Sequence, residues 1–109
     1  MAEKKLIISN TESVPNKKTS EIIDIVRGNT IRARWFGRDI LAGLKHIMGG
    51  EIKSYTKMLN DARDEALSRM VEQAKKLGAD AIVNVRFTTS DVMQGAAEIL
   101  VYGTAVQLK

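Results

Sequence analysis

Cysteine is absent from this sequence of 109 residues. A chain without thiols forms no disulfide, no thiolate nucleophile, no iron–sulfur cluster and no zinc site built on Cys. Histidine occurs only once, as His46, and the nearest acidic residues in the sequence, Asp39 and Glu51, do not complete a ligand set with it. Zinc needs three or four ligands that converge within about 2 Å of the ion. We therefore predict no metal site within one subunit and no cofactor.

Long apolar runs are absent as well. The N-terminal region offers only Leu6-Ile7-Ile8, whereas a signal peptide needs an apolar stretch of about 7–15 residues and a membrane-spanning helix about 20. We expect a cytoplasmic protein that makes no contact with a membrane. A chain of 109 residues builds one hydrophobic core, so residues 1–109 are expected to form a single domain.

Catalytic motifs are absent too. The sequence has no Ser/His/Asp order, no cysteine nucleophile and no glycine pattern for binding a nucleotide phosphate. Gly49-Gly50 lacks the Gly-Lys-Ser/Thr tail of a phosphate loop. We therefore predict no catalytic residues and a protein that is not an enzyme.

A cluster of arginines is what the sequence does contain. The net charge of +4 comes entirely from the first half of the chain, because residues 1–53 contain ten Lys/Arg and six Asp/Glu. If Thr30–Trp35 is a strand, Arg32 and Arg34 project from one face of it, and Arg38 at the start of a short helix could join them. Paired guanidinium groups bind phosphate or carboxylate in fork geometry. We predict that Arg32, Arg34 and Arg38 bind a small anion, with ion pairing to an acidic helix face as the alternative.

The same cluster, extended to Arg27, suggests a nucleic-acid-associated protein as a second reading of the sequence. Aromatic residues make up only 5% of the chain, and proteins that bind single strands usually carry aromatic side chains on which bases stack. The composition therefore argues against nucleic acid as the partner.

The first half of the chain predicts two strands and a short helix. Leu6–Ile8 and the β-branched segment Glu21–Trp35 favour strand. Gly28-Asn29 inside the second segment indicates either a hairpin turn or, as we prefer, a bulge in one long strand. Apolar spacing predicts a short helix over Gly37–Met48, which Gly49-Gly50 would end.

The second half predicts one long helix and a hairpin. Apolar residues recur with a period of 3.6 from Ser54 to Leu77, Glu65 precedes Arg69 by four residues in the order that favours an ion pair, and Gly78 would cap the helix. The outer acidic residues Asp61, Asp64 and Glu65 are expected to be a solvated helix face rather than a cation site. Two antiparallel strands should follow, Ala79–Thr88 and Ala97–Leu108.

The alternation of these last strands predicts which faces are buried. The first should place its apolar residues on one face, namely Ala79, Ala81, Val83, Val85 and Phe87. The second is apolar on both faces, and one helix cannot cover both sides of a narrow sheet. We therefore expect the short helix and, above all, a second subunit to cover Leu100, Tyr102, Val106 and Leu108.

Five stretches carry a resemblance to a known family. They are V-R-G-N-T-I-R-A-R-W-F-G-R-D-I, A-G-L-K-H-I-M-G-G-E, Y-T-K-M-L-N-D-A-R-D-E-A-L-S-R-M, L-G-A-D-A-I-V-N-V-R-F and G-A-A-E-I-L-V-Y-G-T-A-V. In this order, from about Glu21 to Lys109, the chain resembles the YbjQ-like family of small bacterial and archaeal proteins. The Gly-Gly before the long helix and the L-G-A-D-A turn are its most specific parts.

The resemblance implies an α+β fold: a dodecin-like subunit with a small antiparallel sheet wrapped round one long helix, plus a short helix. It also implies a ring, typically a homopentamer. The family is labelled "putative heavy-metal-binding", and no activity comes with the label. The expected function is an uncharacterised, non-enzymatic homo-oligomer that binds a small anion or a metal ion.

Overall fold

The structure is a computed structural model that describes residues 5–33, 49–93 and 96–109. Within these ranges the elements follow in the order β1 (Ile7–Ile8), β2 (Thr19–Ala33), α1 (Gly49–Lys76), β3 (Ala81–Met93) and β4 (Ala96–Leu108). The fold is a small α+β fold in which one helix packs on a four-stranded sheet. The short helix predicted for residues 37–48 lies outside the described residues.

The sheet is mixed, with strand order β1-β3-β4-β2. Strand β4 pairs antiparallel with both β2 and β3, which confirms the predicted C-terminal hairpin. Strand β1 runs parallel to β3, so the prediction of a purely antiparallel sheet is wrong. The reason is the route of the chain: β1 and β2 occupy opposite edges and run in the same direction, which requires a connection that crosses the sheet.

That connection, residues 9–18, covers one end of the sheet face opposite α1 and is called the crossing segment below. Hydrogen bonds to its backbone hold it to β3, and among them Asn84 N–H donates to Thr11 O (2.9 Å) and Arg86 Nη1 donates to Asn10 O (2.9 Å). Val14 is buried there in a cluster with Ala81, Val83 and Val106. The expectation that a second subunit covers Val106 is therefore wrong, because the chain covers this residue itself.

The helix packs on the other face of the sheet through a row of buried residues, most of them alanine. Ala62, Ala66, Met70 and Ala74 are fully buried against Ile99, Val101 and other core residues. The helix begins at Gly49, five residues before the predicted start, so that Gly49 and Gly50 form its first turn. The prediction that they end a short helix stays untested, because residues 37–48 lie outside the described residues.

A Schellman motif ends the helix, as the sequence predicted. Gly78 has φ +76°, its N–H donates to Lys75 O (3.0 Å), and Ala79 N–H donates to Ala74 O (3.1 Å). These two bonds satisfy carbonyls that the last turn leaves free. Ala79 and Ala74 belong to the same buried cluster, which supplies the apolar contact that accompanies this motif.

Strand β2 is one continuous strand, so the hairpin alternative at Gly28-Asn29 is wrong. The preferred bulge at these residues is wrong too, because Gly28 pairs regularly with Val101 and Asn29 with Leu100. The register shifts instead near the start of the strand, between Thr19 and Glu21 and between Ile22 and Asp24. Gly28 is needed for a different reason, which is its contact with the helix.

Strand β3 contains a bulge that the alternation of its sequence did not reveal. The register with β4 shifts between Val83 and Arg86, and Asn84 within the shift has φ +55°. Asn tolerates this left-handed conformation better than most residues. Because the bulge inverts the alternation, Val83 packs under the crossing segment and Val85 joins the core under α1. The prediction of one continuous apolar face from Ala79 to Phe87 is therefore wrong.

Candidate functional site

Arg32 is the one member of the predicted anion site that lies among the described residues. It occupies β2 near the end of the strand and makes an ion pair with Glu65 on α1. This is the helix pairing that the sequence left as the alternative to ligand binding. Arg34 and Arg38 lie outside the described residues, so the site formed by Arg32, Arg34 and Arg38 stays a prediction.

Glu65 joins two arginines. Its second oxygen accepts a hydrogen bond from Arg69 Nη2 at 2.7 Å, the predicted pair four residues apart on α1. The hydrogen bond from Arg32, helped by the positive charges of both arginines, holds the pKa of the Glu65 carboxyl below its usual value. Arg32 and Arg69 are therefore both paired with a carboxylate of the same subunit.

The other acidic residues of α1 do not gather into a cation site. Asp61 pairs with Lys57 one turn earlier, at 3.1 Å. In residues 5–33, 49–93 and 96–109, no three acidic or His side chains stand close enough together to hold a metal ion. His46 lies outside these ranges.

A second feature of the surface was only partly foreseen. Four large apolar side chains are exposed on the sheet face opposite α1: Ile22 (69% exposed), Ile25 (69%), Ile31 (58%) and Tyr102 (41%). Residues paired across neighbouring strands point to the same side. Tyr102 alternates with the buried Val101 and therefore points away from α1. We call the part of this face that the crossing segment leaves uncovered the open face.

The open face carries charge as well as apolar surface. Tyr102 is flanked by Arg27 on β2 and Arg86 on β3, its partners on either side in the register. Glu98 lies opposite Ile31 further along the same strands, and Asn29 Nδ2 donates to Glu98 Oε2 at 3.3 Å. An apolar centre with charged neighbours is typical of a surface that meets another protein.

The sequence prediction named the wrong strand for most of this surface. It assigned the uncovered apolar residues to β4, where Val106 is buried and Leu100 half-buried. Most of them come from β2. The signal was present in the sequence, since Ile25 and Ile31 alternate with Val26, Gly28 and Thr30, which face α1 and are buried.

No helix in the described part of the chain is long and apolar enough to span a membrane.

Comparison with known proteins places the chain among proteins of unassigned role. The model of the YbjQ_1 family, described as "Putative heavy-metal-binding", matches residues 6–109. A UPF0145 protein of Archaeoglobus fulgidus is 64% identical over 98% of this chain and 99% of its own length. A UPF0145 protein of Colwellia psychrerythraea is 57% identical over 95% of this chain and 99% of its own length.

A solved structure supports the fold. A protein of unknown function of the DUF74 family from Pediococcus pentosaceus superposes with a TM-score of 0.66. The alignment covers 95% of this chain and 98% of the other, at 18% sequence identity. At that identity the likeness extends to the fold and to nothing further.

Proposed function

The chain belongs to the YbjQ family, described as "putative heavy-metal-binding", and we propose that it is a non-enzymatic, cytoplasmic protein that works as a homo-oligomer. Its subunits associate through the open face of the sheet. The number of subunits that we propose is five, which rests on the resemblance to a ring-forming family. The exposed apolar side chains of the open face require only that there be more than one subunit.

The observation that carries the proposal is the exposure of Ile22, Ile25, Ile31 and Tyr102 on one face. Burying an aliphatic side chain contributes roughly 1.5–3 kcal/mol. A monomer would forgo that contribution at each of the three isoleucines and would keep several large apolar side chains of one face in water, which monomers seldom do. A second copy of the chain is a partner that is always present wherever the chain itself is. In a closed ring, the open face of every copy is covered by a neighbouring subunit.

Light scattering at micromolar concentration tests the proposal. A mass near five times the 12.1 kDa of the chain is expected, and a mass near 12.1 kDa would contradict it. Ile25→Glu should disperse the assembly without unfolding the subunit, because Ile25 contributes little to the core. Ser68→Glu places the same charge at an exposed position of α1 and should leave the mass unchanged. Val106→Glu should unfold the chain instead, since Val106 is buried within the subunit.

A small anion is the ligand that we propose for this assembly, bound by Arg32, Arg34 and Arg38. The support is the carboxylate of Glu65, which already lies between Arg32 and Arg69. Titration with inorganic phosphate should show binding that Arg34→Gln and Arg38→Gln weaken. Glu65→Gln should strengthen it, because Glu65 competes for Arg32. Binding that none of these variants changes would place the ligand elsewhere.

Two further ligand classes remain as alternatives. The family description points to heavy metals, and a metal ion would need ligands from more than one subunit, because the chain offers one His and no Cys. Nucleic acid would use Arg27 and the arginines after it. Contacts to phosphates lose orders of magnitude in affinity between about 50 and 200 mM salt, so binding that is insensitive to salt would exclude nucleic acid.

A further inference from the structure

Among the residues that the structure describes, strand β2 forms one edge of the sheet and pairs only with β4. In an antiparallel pair, alternate residues of the edge strand direct their N–H and C=O groups toward the partner strand, and the residues between direct theirs outward. Such an outward row is a template on which another strand can pair. With 15 residues and many β-branched side chains, β2 would itself be a suitable strand to add to a second copy of this edge.

In the outward row between Ile25 and Asn29, three backbone groups are bonded to side chains of the same subunit. Arg27 N–H donates to Gln73 Oε1 at 2.8 Å, and Asn29 O accepts from Arg69 Nη1 at 2.5 Å. Ile25 N–H donates to Asp24 Oδ1 at 2.8 Å. Three consecutive outward-facing residues therefore each have a backbone group bonded to a side chain instead of a neighbouring strand.

Gly28 explains how α1 comes near enough for two of these bonds. A Cβ placed on Gly28 would lie 2.0 Å from Ala66 O and 2.6 Å from Met70 N. The helix backbone thus rests directly on β2, at the one position of this stretch without a side chain. Arg69 and Gln73, four residues apart on α1, share the side of the helix that overhangs the edge. From there they reach Asn29 and Arg27.

We propose that Gln73 and Arg69 close this edge of the sheet to strand addition by the β2 of a second copy. This proposal rests on the proposed function, because it identifies an edge of the sheet that the subunits do not use when they associate. With the edge between Ile25 and Asn29 closed, copies of the chain meet through the open face. Assembly through a face that closes into a ring is finite, whereas pairing of edges links one assembly to the next.

The test compares the wild type with Gln73→Leu and with the double variant Gln73→Leu/Arg69→Met. Leu and Met keep most of the bulk of the side chains but remove the acceptor and the donors. Mass is followed by light scattering over time at micromolar concentration. The double variant is expected to reach at least twice the mass of the wild type, because one edge-to-edge contact joins two assemblies. An unchanged mass with no growth over time overturns the proposal.

Hydrogen exchange of the Arg27 amide gives a second readout that does not depend on the double variant folding well. In Gln73→Leu this amide should exchange faster than in the wild type at low concentration, and should become protected again as higher-mass species form. Exchange at the wild-type rate with unchanged mass would show that Gln73 does not occupy the edge. Faster exchange with unchanged mass would show that an open edge does not pair. Either result contradicts the proposal.

Two controls keep this test separate from that of the proposed function. Gln73→Glu retains an oxygen acceptor and should behave as the wild type in both readouts. Glu72→Gln changes the neighbouring exposed residue and should have no effect. The mass of the wild type alone decides whether the chain is a homo-oligomer. The ratio of variant mass to wild-type mass decides whether the edge is closed, even if the wild type is a monomer.

Discussion

Gly28 of β2 and Ala66 of α1 are in backbone contact: a Cβ added to Gly28 would lie 2.0 Å from the carbonyl oxygen of Ala66. Real Cβ atoms do not approach a backbone atom so closely. The atoms that a Cβ at Gly28 would meet belong to the backbone of α1, which cannot move aside by changing a rotamer. The separation between helix and sheet is therefore set at Gly28, and with it the depth at which Ala62, Met70 and Ala74 are buried.

Gly28→Ala should be strongly destabilising for this reason. Overpacking a core costs roughly 1–3 kcal/mol and occasionally more, and here the added methyl group can be accommodated only if α1 moves as a whole. We expect a loss at or above the upper end of that range, measured as the free energy of unfolding in urea. Ser68→Ala, on the exposed side of the same helix, is the control and should change stability little. A Gly28→Ala protein with wild-type stability would show that α1 is free to shift.

Gly78→Val should also destabilise the fold, but through the backbone alone. Nothing lies within 4 Å of a Cβ at this position, so the cost is that of holding a β-branched residue at φ +76°. We expect a loss of about 1 kcal/mol or more in the free energy of unfolding. Gly78→Asn should cost less than Gly78→Val, because Asn adopts the left-handed conformation more readily. Equal losses in the two variants would argue against backbone strain as the cause.

The positions of the helix and the strands could be predicted from the sequence more accurately than which of their faces are buried. The helix and its cap at Gly78, the long β2 and the final hairpin all follow from local signals, which are apolar period, capping residues and β-branched content. Each of these signals lies within one segment and needs no knowledge of what packs against it.

The incorrect predictions concern features that depend on tertiary contacts. Gly28 suggests a bulge because glycine often marks one, yet here it permits a contact with Ala66, 38 positions later in the sequence. Asn84 inverts the alternation of β3, and the residues next to it in the sequence give no signal of a bulge. The burial of Val106 by Val14 depends on the route of the crossing segment, which local patterns do not contain. For the predicted site, the pairing of Arg32 with Glu65 likewise depends on how α1 lies across β2.

Glu65 should make the stability of the protein depend on pH. Its pKa is held below the usual 4.5, first by the hydrogen bond from Arg32. A carboxyl whose pKa is lower in the folded state stabilises the fold above its unfolded pKa, and this contribution disappears as the pH falls through the folded pKa. The difference in unfolding free energy between the wild type and Glu65→Gln should therefore be largest above about pH 4.5 and shrink in more acidic solution.

Urea denaturation at several pH values checks this expectation. Glu72→Gln, two turns along the same helix, is the control, because no ion pair of Glu72 is found in the described part of the chain. The Glu65 effect should also weaken with added salt, since the pair is partly exposed to solvent. A difference between Glu65→Gln and the wild type that is the same at all pH values would show that the carboxylate form of Glu65 is not what stabilises the fold.

Metal binding should not occur at one tight site per subunit, in spite of the family description. The chain supplies a single imidazole, His46, and no thiolate. In the part of the chain that the structure describes, no three acidic or His side chains converge. Zinc and copper are held by three or four converging ligands, and the softer metals prefer thiolates. A site would have to be shared, with His46 contributed by several subunits at once.

Calorimetric titration of the metal-free protein with Zn²⁺ distinguishes these cases. We expect either no tight binding or a stoichiometry well below one ion per subunit, as for a site shared around a ring. One ion per subunit with tight affinity, abolished by His46→Ala, would contradict the prediction. Asp61→Asn is the matched control, because Asp61 pairs with Lys57 on the exposed side of α1 and its loss should change neither the affinity nor the stoichiometry. If the site is shared, dispersal of the assembly by Ile25→Glu should abolish binding even though His46 is intact.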